Sequence, residues 1–281
     1  MSAPVPPPVR VALTIAGSDS GGGAGIQADL KTFAAHGVYG ASVVTALTAQ
    51  NTHGVRGILA VPAEFVRLQL DTVLDDITVH ATKIGMLAGA DVVLAVAEVL
   101  RSRALGPVVL DPVMVATSGD ALLDPDAVAA VRDVLLPLAD LVTPNVPEAA
   151  ALLGVDAATS VAQCRDQAQE LARRSGTAVL LKGGHLSGQA SVDVLASPGS
   201  PETTVLVRRD RVDTTATHGT GCTLSSALAA QVALHPGTGW DVLVEPARDY
   251  LQAALLAGAR LDVGSGHGPL DHAHALREDR S

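Results

Sequence analysis

Short runs of apolar, often β-branched residues alternate along the chain with longer Ala- and Leu-rich stretches whose apolar positions recur every three or four residues. That alternation belongs to successive strand-helix-strand units around a mostly parallel sheet. Residues 9–16 are almost wholly apolar, as a strand covered on both faces must be. A glycine-rich turn follows, and then Ile26, Leu30, Phe33 and Ala34 form one helix face that stops at Gly37. The pattern predicts further strands over 42–49, 55–61, 81–85, 108–110, 141–143 and 179–181. Helices are expected over 62–75, with Pro in the first turn, and over 90–103, 125–135, 148–153 and 161–174. Residues 191–211 predict two or three strands in hairpin contact, and helices over 221–234 and 240–261 follow. With no internal repeat and no Pro/Gly/Ser linker, 10–275 reads as one α/β domain between a flexible Pro-rich leader (1–9) and a polar tail (276–281).

Composition narrows what such a domain can do. The 281 residues carry a formal net charge of −10, with 48% hydrophobic and 2% aromatic residues. Scarce aromatics leave the core to Ala, Val, Leu and Ile, and give no stacking platform for nucleic-acid bases. No block of Lys and Arg exists to neutralise phosphates over an area, so neither nucleic acid nor a membrane is expected as partner. The most apolar stretches, 223–234 and 251–261, are interrupted before the roughly 18 residues that a membrane span needs. Two cysteines build no disulfide framework and point to a reducing, cytoplasmic setting. A phosphorylated small molecule stays open as ligand, because one cation and a helix N-terminus suffice to hold it.

In open parallel sheets ligands bind beyond the carboxyl ends of the strands. Five such places are informative. Gly17-Ser18-Asp19-Ser20-Gly21-Gly22-Gly23-Ala24-Gly25 opens a helix carrying Gln27 and Asp29, where the backbone can approach a ligand closely. Gln50-Asn51 follows the second predicted strand, and Gln offers a donor beside an acceptor, as an amino-heterocycle edge requires. Asp111-Pro112-Val113 comes next, then Thr143-Pro144-Asn145 with Glu148, an acid placed to hold Mg²⁺ or its waters. The fifth is Lys182-Gly183-Gly184-His185. Lysine occurs three times against sixteen arginines, so a compact ammonium reaching phosphate is expected of Lys182.

A second glycine cluster, His218-Gly219-Thr220-Gly221-Cys222-Thr223, enters a long small-residue helix. Backbone N–H groups at Gly219, Thr220, Gly221 and Cys222, backed by the helix dipole, predict an anion hole. The same field is expected to lower the pKa of the Cys222 thiol and fit it to take a proton from an attacking hydroxyl. Cys164, mid-helix, reads as structural, and His267, His272 and His274 lack the companions of a metal site. No Gly-Lys dipeptide occurs, which excludes a Walker A loop, and no acid lies between Asp29 and Glu64 to complete a dinucleotide fingerprint.

Taken together, Leu13–Asp19, Ala24–Phe33, Thr45–Thr52, Lys83–Leu87, Leu110–Met114, Thr143–Asn145 with Glu148, Lys182–His185 and His218–Thr223 closely resemble the bacterial hydroxymethylpyrimidine/phosphomethylpyrimidine kinases of thiamine biosynthesis. The resemblance implies a ribokinase-like three-layer α/β/α fold with a central, mostly parallel sheet. It also implies an ATP- and Mg²⁺-dependent kinase that phosphorylates 4-amino-5-hydroxymethyl-2-methylpyrimidine and then its monophosphate. The implied substrate site comprises Gln50, Asp29, Gly17, Ala24, Thr48, Met86 and Val113. ATP would meet Lys182, Asn145 and Asp111, and Mg²⁺ would meet Glu148 and Asp111. The catalytic set is Cys222 with Gly219, Thr220 and Gly221, and the superfamily commonly forms homodimers. Two positions depart from some relatives: Thr48 stands in place of Val, and Ala116-Thr117-Ser118-Gly119 lacks a Lys. A pyridoxal or pyridoxine kinase, a non-catalytic pyrimidine-binding protein and, more remotely, an NAD-dependent oxidoreductase are the competing readings.

Overall fold

The computed structural model describes residues 8–114 and 125–278, so the leader up to residue 7, the 116–119 loop and the end of the tail lie outside it. In chain order the elements are β1 (Val11–Ala16), α1 (Gly25–Ala35), β2 (Tyr39–Val44), β3 (Ala46–Asn51), β4 (Gly54–Ala60), α2 (Ala63–Leu74) and β5 (Ala81–Ile84). Then come α3 (Ala90–Ser102), β6 (Val108–Leu110), α4 (Pro125–Ala130), β7 (Leu141–Val142), α5 (Val146–Leu153), α6 (Val161–Ser175) and β8 (Ala178–Leu181). Two strands, β9 (Ala190–Ser197) and β10 (Ser200–Asp210), and two helices, α7 (Thr220–Leu234) and α8 (Trp240–Gly258), follow.

The main sheet has eight strands in the order β10-β9-β8-β7-β6-β5-β1-β2. Pairing is parallel from β2 to β8, and antiparallel where β9 meets β8 and β10. The period of two along each strand divides the core. Leu13, Ile15, Ile84, Leu110, Val142, Val179 and Leu181 face one layer with Leu70 of α2, Val96 of α3, Leu152 of α5 and Leu171 of α6. Ala12, Val109, Leu141 and Leu180 face the other, with Phe33 of α1, Leu228 of α7 and Leu251 of α8. The sheet is thus the middle of three layers, and Cys164 is buried in the first of them.

The expected strand over 42–49 is two strands. Thr45 donates its hydroxyl to the Met86 carbonyl at 2.6 Å and its N–H to Ala16, which turns the chain off the sheet. The segment beyond pairs with β4 as a separate two-stranded flap, so Gln50 lies within β3 and not after a strand of the main sheet. The expected helix over 125–135 is present, but only its first part is α: α4 passes into a π turn at Val131–Leu135 before Pro137. Among the described residues no helix is long and apolar enough to cross a membrane.

Candidate active site

The carboxyl ends of the parallel strands and the flap enclose a cleft of about 830 Å³. The N-terminus of α7 divides it. Gly219, the N-cap, has φ +88°, and a Cβ there would stand 1.9 Å from the Gly23 carbonyl, so only glycine lets the second loop seat on the first. Two residues on, a Cβ at Gly221 would lie 3.2 Å from Asp111 Oδ2 and 3.3 Å from Lys182 Nζ. The anion hole expected at Gly219–Gly221 therefore touches the Gly23-Ala24 loop at one end and a lysine-carboxylate cluster at the other. First-turn N–H groups of a helix lack carbonyl partners one turn back, and the dipole is positive there.

On the loop side the cleft wall includes Gly17, Ala24, Thr48, Gln50, Met86 and Val113, all of them among the expected substrate residues. On the other side stand Asp111, Asn145, Glu148 and Lys182. Lys182 donates to Asp111 Oδ1 at 2.8 Å and lies 3.9 Å from Glu148 Oε2. Asn145 and Glu148 form the capping box of α5: the Asn145 side chain accepts from the Glu148 N–H, and Glu148 Oε2 accepts from the Asn145 N–H at 2.7 Å. Burial, opposed by Lys182 and reinforced by Asp111, pushes the Glu148 carboxyl up to about 7. Two buried acids sharing one ammonium leave room for more positive charge, which fits a divalent cation. Among the described residues no three His, Cys, Asp or Glu side chains group to hold one alone. One or two carboxylates completed by phosphate oxygens is the usual Mg²⁺ arrangement.

Two expectations are corrected. Asp29 is fully buried and does not line the cleft. Its carboxylate accepts from Lys83 Nζ at 2.9 Å on both oxygens, from Thr14 Oγ1 at 2.6 Å and from Ser226 Oγ at 2.7 Å, and so has no capacity left for a ligand. The Cys222 thiol is raised to about 11, where a lowered value was expected. Removal from water is the largest cause and outweighs the Lys83 charge, while Asp29 and Asp111 add to the rise; the Gly25 N–H bonds the sulfur and works against it.

Three groups were missed. Lys83 lies fully buried at the cleft floor, and Asp29 holds it charged above the ordinary lysine range against the cost of burial. Its scarcity signal was the same as that of Lys182. Asp19 and His218 pair at 2.7 Å and tie the first glycine loop to the second. His272 Nε2 lies 2.9 Å from Thr223 Oγ1, which itself donates to the Gly219 carbonyl at 2.8 Å, so a residue far along the chain steadies the anion hole.

A ribokinase-like α/β/α sheet, a glycine-lined helix start and a lysine-carboxylate cluster define a small-molecule phosphotransferase. The family model for phosphomethylpyrimidine kinase matches residues 19–271, and the chain belongs to that family. It is 52% identical to a hydroxymethylpyrimidine/phosphomethylpyrimidine kinase of Rhizobium meliloti over 96% of this chain and 99% of that protein. The Escherichia coli protein of the same name is 51% identical over 94% of this chain and 97% of its own length. Among solved structures, an ADP complex of Bacillus subtilis pyridoxal kinase superposes with a TM-score of 0.86 at 36% identity, covering 96% of this chain and 99% of that one. A Clostridium difficile phosphomethylpyrimidine kinase gives 0.74 at 39% identity, covering 86% and 98%.

Proposed function

We propose that this kinase transfers the γ-phosphoryl group of ATP to the hydroxymethyl oxygen of 4-amino-5-hydroxymethyl-2-methylpyrimidine, and then phosphorylates the monophosphate to the diphosphate. The observation that carries this reading is the placement of the α7 start between the two halves of the cleft. One half presents Gln50, a donor-acceptor pair suited to an amino-heterocycle edge; the other presents Lys182 with Asp111 and Glu148, suited to a nucleotide's phosphates.

In the transfer, the hydroxymethyl oxygen forms a bond to the γ-phosphorus while the bond from that phosphorus to the β-γ bridging oxygen breaks, and ADP leaves. Charge spreads over the transferring oxygens, and the N–H groups of Gly219 and Gly221 stand where it develops, while the Thr220 N–H also reaches the Thr217 carbonyl at 3.3 Å. Cys222, in its thiolate form, accepts the hydroxyl proton and later returns it to solvent. Because the transition state is loose, the hydroxyl keeps its proton until late; with the thiol raised to about 11, only the deprotonated fraction of Cys222 can take it, so turnover in this role should rise with pH. Asp111 and Glu148 would hold Mg²⁺, whose charge would neutralise phosphate oxygens. Asn145, locked in the capping box, keeps Glu148 oriented.

The flap exposes Leu47 and Leu59, which pair across β3 and β4 and so share one face. A two-stranded sheet with an apolar outer face is marginal in water, and a second copy of this chain is the proposed cover, giving a homodimer. Free Cys164 and Cys222 suit a cytoplasmic setting. The test is steady-state kinetics with the aminopyrimidine. Cys222→Ala is expected to remove most turnover while sparing substrate binding, and Gln50→Ala to raise KM several-fold. Near-full turnover in the first, or an unchanged KM in the second, would remove the assigned role.

A further inference from the structure

Within the substrate wall, the Gln50 backbone is pinned. The Ser20 hydroxyl donates to the Gln50 carbonyl at 2.8 Å and accepts from the Gln50 N–H at 2.8 Å. The side-chain amide has two polar neighbours. Thr48 Oγ1 lies 3.2 Å from one end and His218 Nε2 lies 3.5 Å from the other, the ends drawn as Oε1 and Nε2 respectively. The ends are alike in size, so the protons available around them decide which is which.

Thr48 has one hydroxyl proton, and the Ser18 carbonyl oxygen 2.8 Å away takes it. Toward Gln50 the hydroxyl then offers only a lone pair, which calls for an N–H. His218 Nε2 sits 2.7 Å from Asp19 Oδ2, and a carboxylate oxygen can only accept, so this nitrogen bears its proton. That one proton is committed to Asp19, so toward Gln50 the nitrogen offers neither a proton nor a lone pair, and an amide N–H placed there finds no acceptor. Asp19 is itself immobile: it accepts from the N–H groups of Gly21 at 2.8 Å, Gly23 at 3.0 Å and Ala24 at 2.8 Å. Thr48 alone therefore decides, and it places the amide nitrogen at Thr48 and the oxygen toward His218, the reverse of the nominal assignment.

We infer that Thr48 is a specificity-determining residue: its hydroxyl, acting through a one-way chain of proton donation, locks the Gln50 amide in the orientation that reads an aminopyrimidine. The second N–H and the remaining carbonyl lone pair of Gln50 are left as a donor and an acceptor side by side. A ring nitrogen next to an exocyclic amine is the matching acceptor and donor, and a hydroxypyridine has no such pair. This rests on the aminopyrimidine reading above and assigns the residue that sets its orientation.

The test is the dissociation constant of 4-amino-5-hydroxymethyl-2-methylpyrimidine, by calorimetry, for the wild type, Thr48→Val, Thr48→Ser, Gln50→Ala and the Thr48→Val/Gln50→Ala double variant. Valine keeps the shape and removes the hydroxyl. Loss of one orienting hydrogen bond predicts binding about fivefold weaker in Thr48→Val, with Thr48→Ser within about twofold of wild type. In the Gln50→Ala background the same valine substitution should cost less than about twofold, because the group it orients is gone. Wild-type affinity in Thr48→Val, or an equal loss with and without Gln50, would overturn the inference and leave Thr48 a packing residue. A wild type that does not bind the aminopyrimidine at all would instead overturn the substrate reading on which it rests.

Discussion

Two lysines flank the start of α7, and their surroundings are opposite in kind. Lys83 has 0% side-chain exposure and meets both oxygens of Asp29, while Thr14 and Ser226 fill the remaining acceptor capacity of that carboxylate. Lys182 has 15% side-chain exposure, opens on the cleft, and has Asp111 at 2.8 Å and Glu148 at 3.9 Å. The first lysine is a closed circuit and the second an open one. A saturated pair in the interior can fix geometry and field but cannot bind anything, whereas an ammonium with acids to spare can exchange partners when phosphates and a metal ion arrive.

The comparison makes its largest prediction at Lys83. Lys83→Met leaves Asp29 charged and unpaired in the core, and a loss of about 3–5 kcal/mol is expected in urea or thermal unfolding. A loss under about 1 kcal/mol would show that the pair is not the fixed element described here. Lys182→Met should act mainly on turnover: Glu148, already raised to about 7, can take up a proton, while buried Asp111, 2.8 Å away, also loses its partner. Turnover is expected to fall about 100-fold or more, with a stability loss smaller than that of Lys83→Met. Equal effects of the two substitutions on stability would erase the distinction.

A smaller effect comes from His272, on the closed side of the site. Burial, with a contribution from the Lys31 charge, lowers its pKa from 6.5 to about 4. A base whose folded pKa is depressed stabilises the fold above its unfolded pKa, and that stability is lost as pH falls from 6.5 toward 4. His272→Gln, which keeps a donor for Thr223 and does not titrate, should flatten the acid limb of the stability curve by about 2 kcal/mol. An unchanged slope between pH 6.5 and 4 would place the acid sensitivity elsewhere.

What was readable in the sequence was the part written in local pattern. Period-two and period-3.6 apolar spacing located the sheet strands and most helices, and glycine clusters after strands located the cleft. The flap was hidden because residues 42–49 look continuous; what separates β2 from β3 is Thr45 bonding to Met86, a contact 41 residues away. Asp29 was misplaced for the same reason, since its partners Lys83 and Ser226 are distant in sequence and only the fold shows that they exhaust it. The Cys222 thiol was misjudged because helix electrostatics can be read from a glycine-rich turn, whereas the desolvation that outweighs them cannot.

The most direct measurement is a side-by-side comparison of kcat/KM for 4-amino-5-hydroxymethyl-2-methylpyrimidine and for pyridoxal, with saturating ATP and Mg²⁺. The chain superposes on solved kinases named for each of these substrate types, so overall shape does not choose between them. The Gln50 amide oriented by Thr48 does, and it predicts a preference for the aminopyrimidine of at least about tenfold. Equal efficiency, or a preference for pyridoxal, would contradict the account.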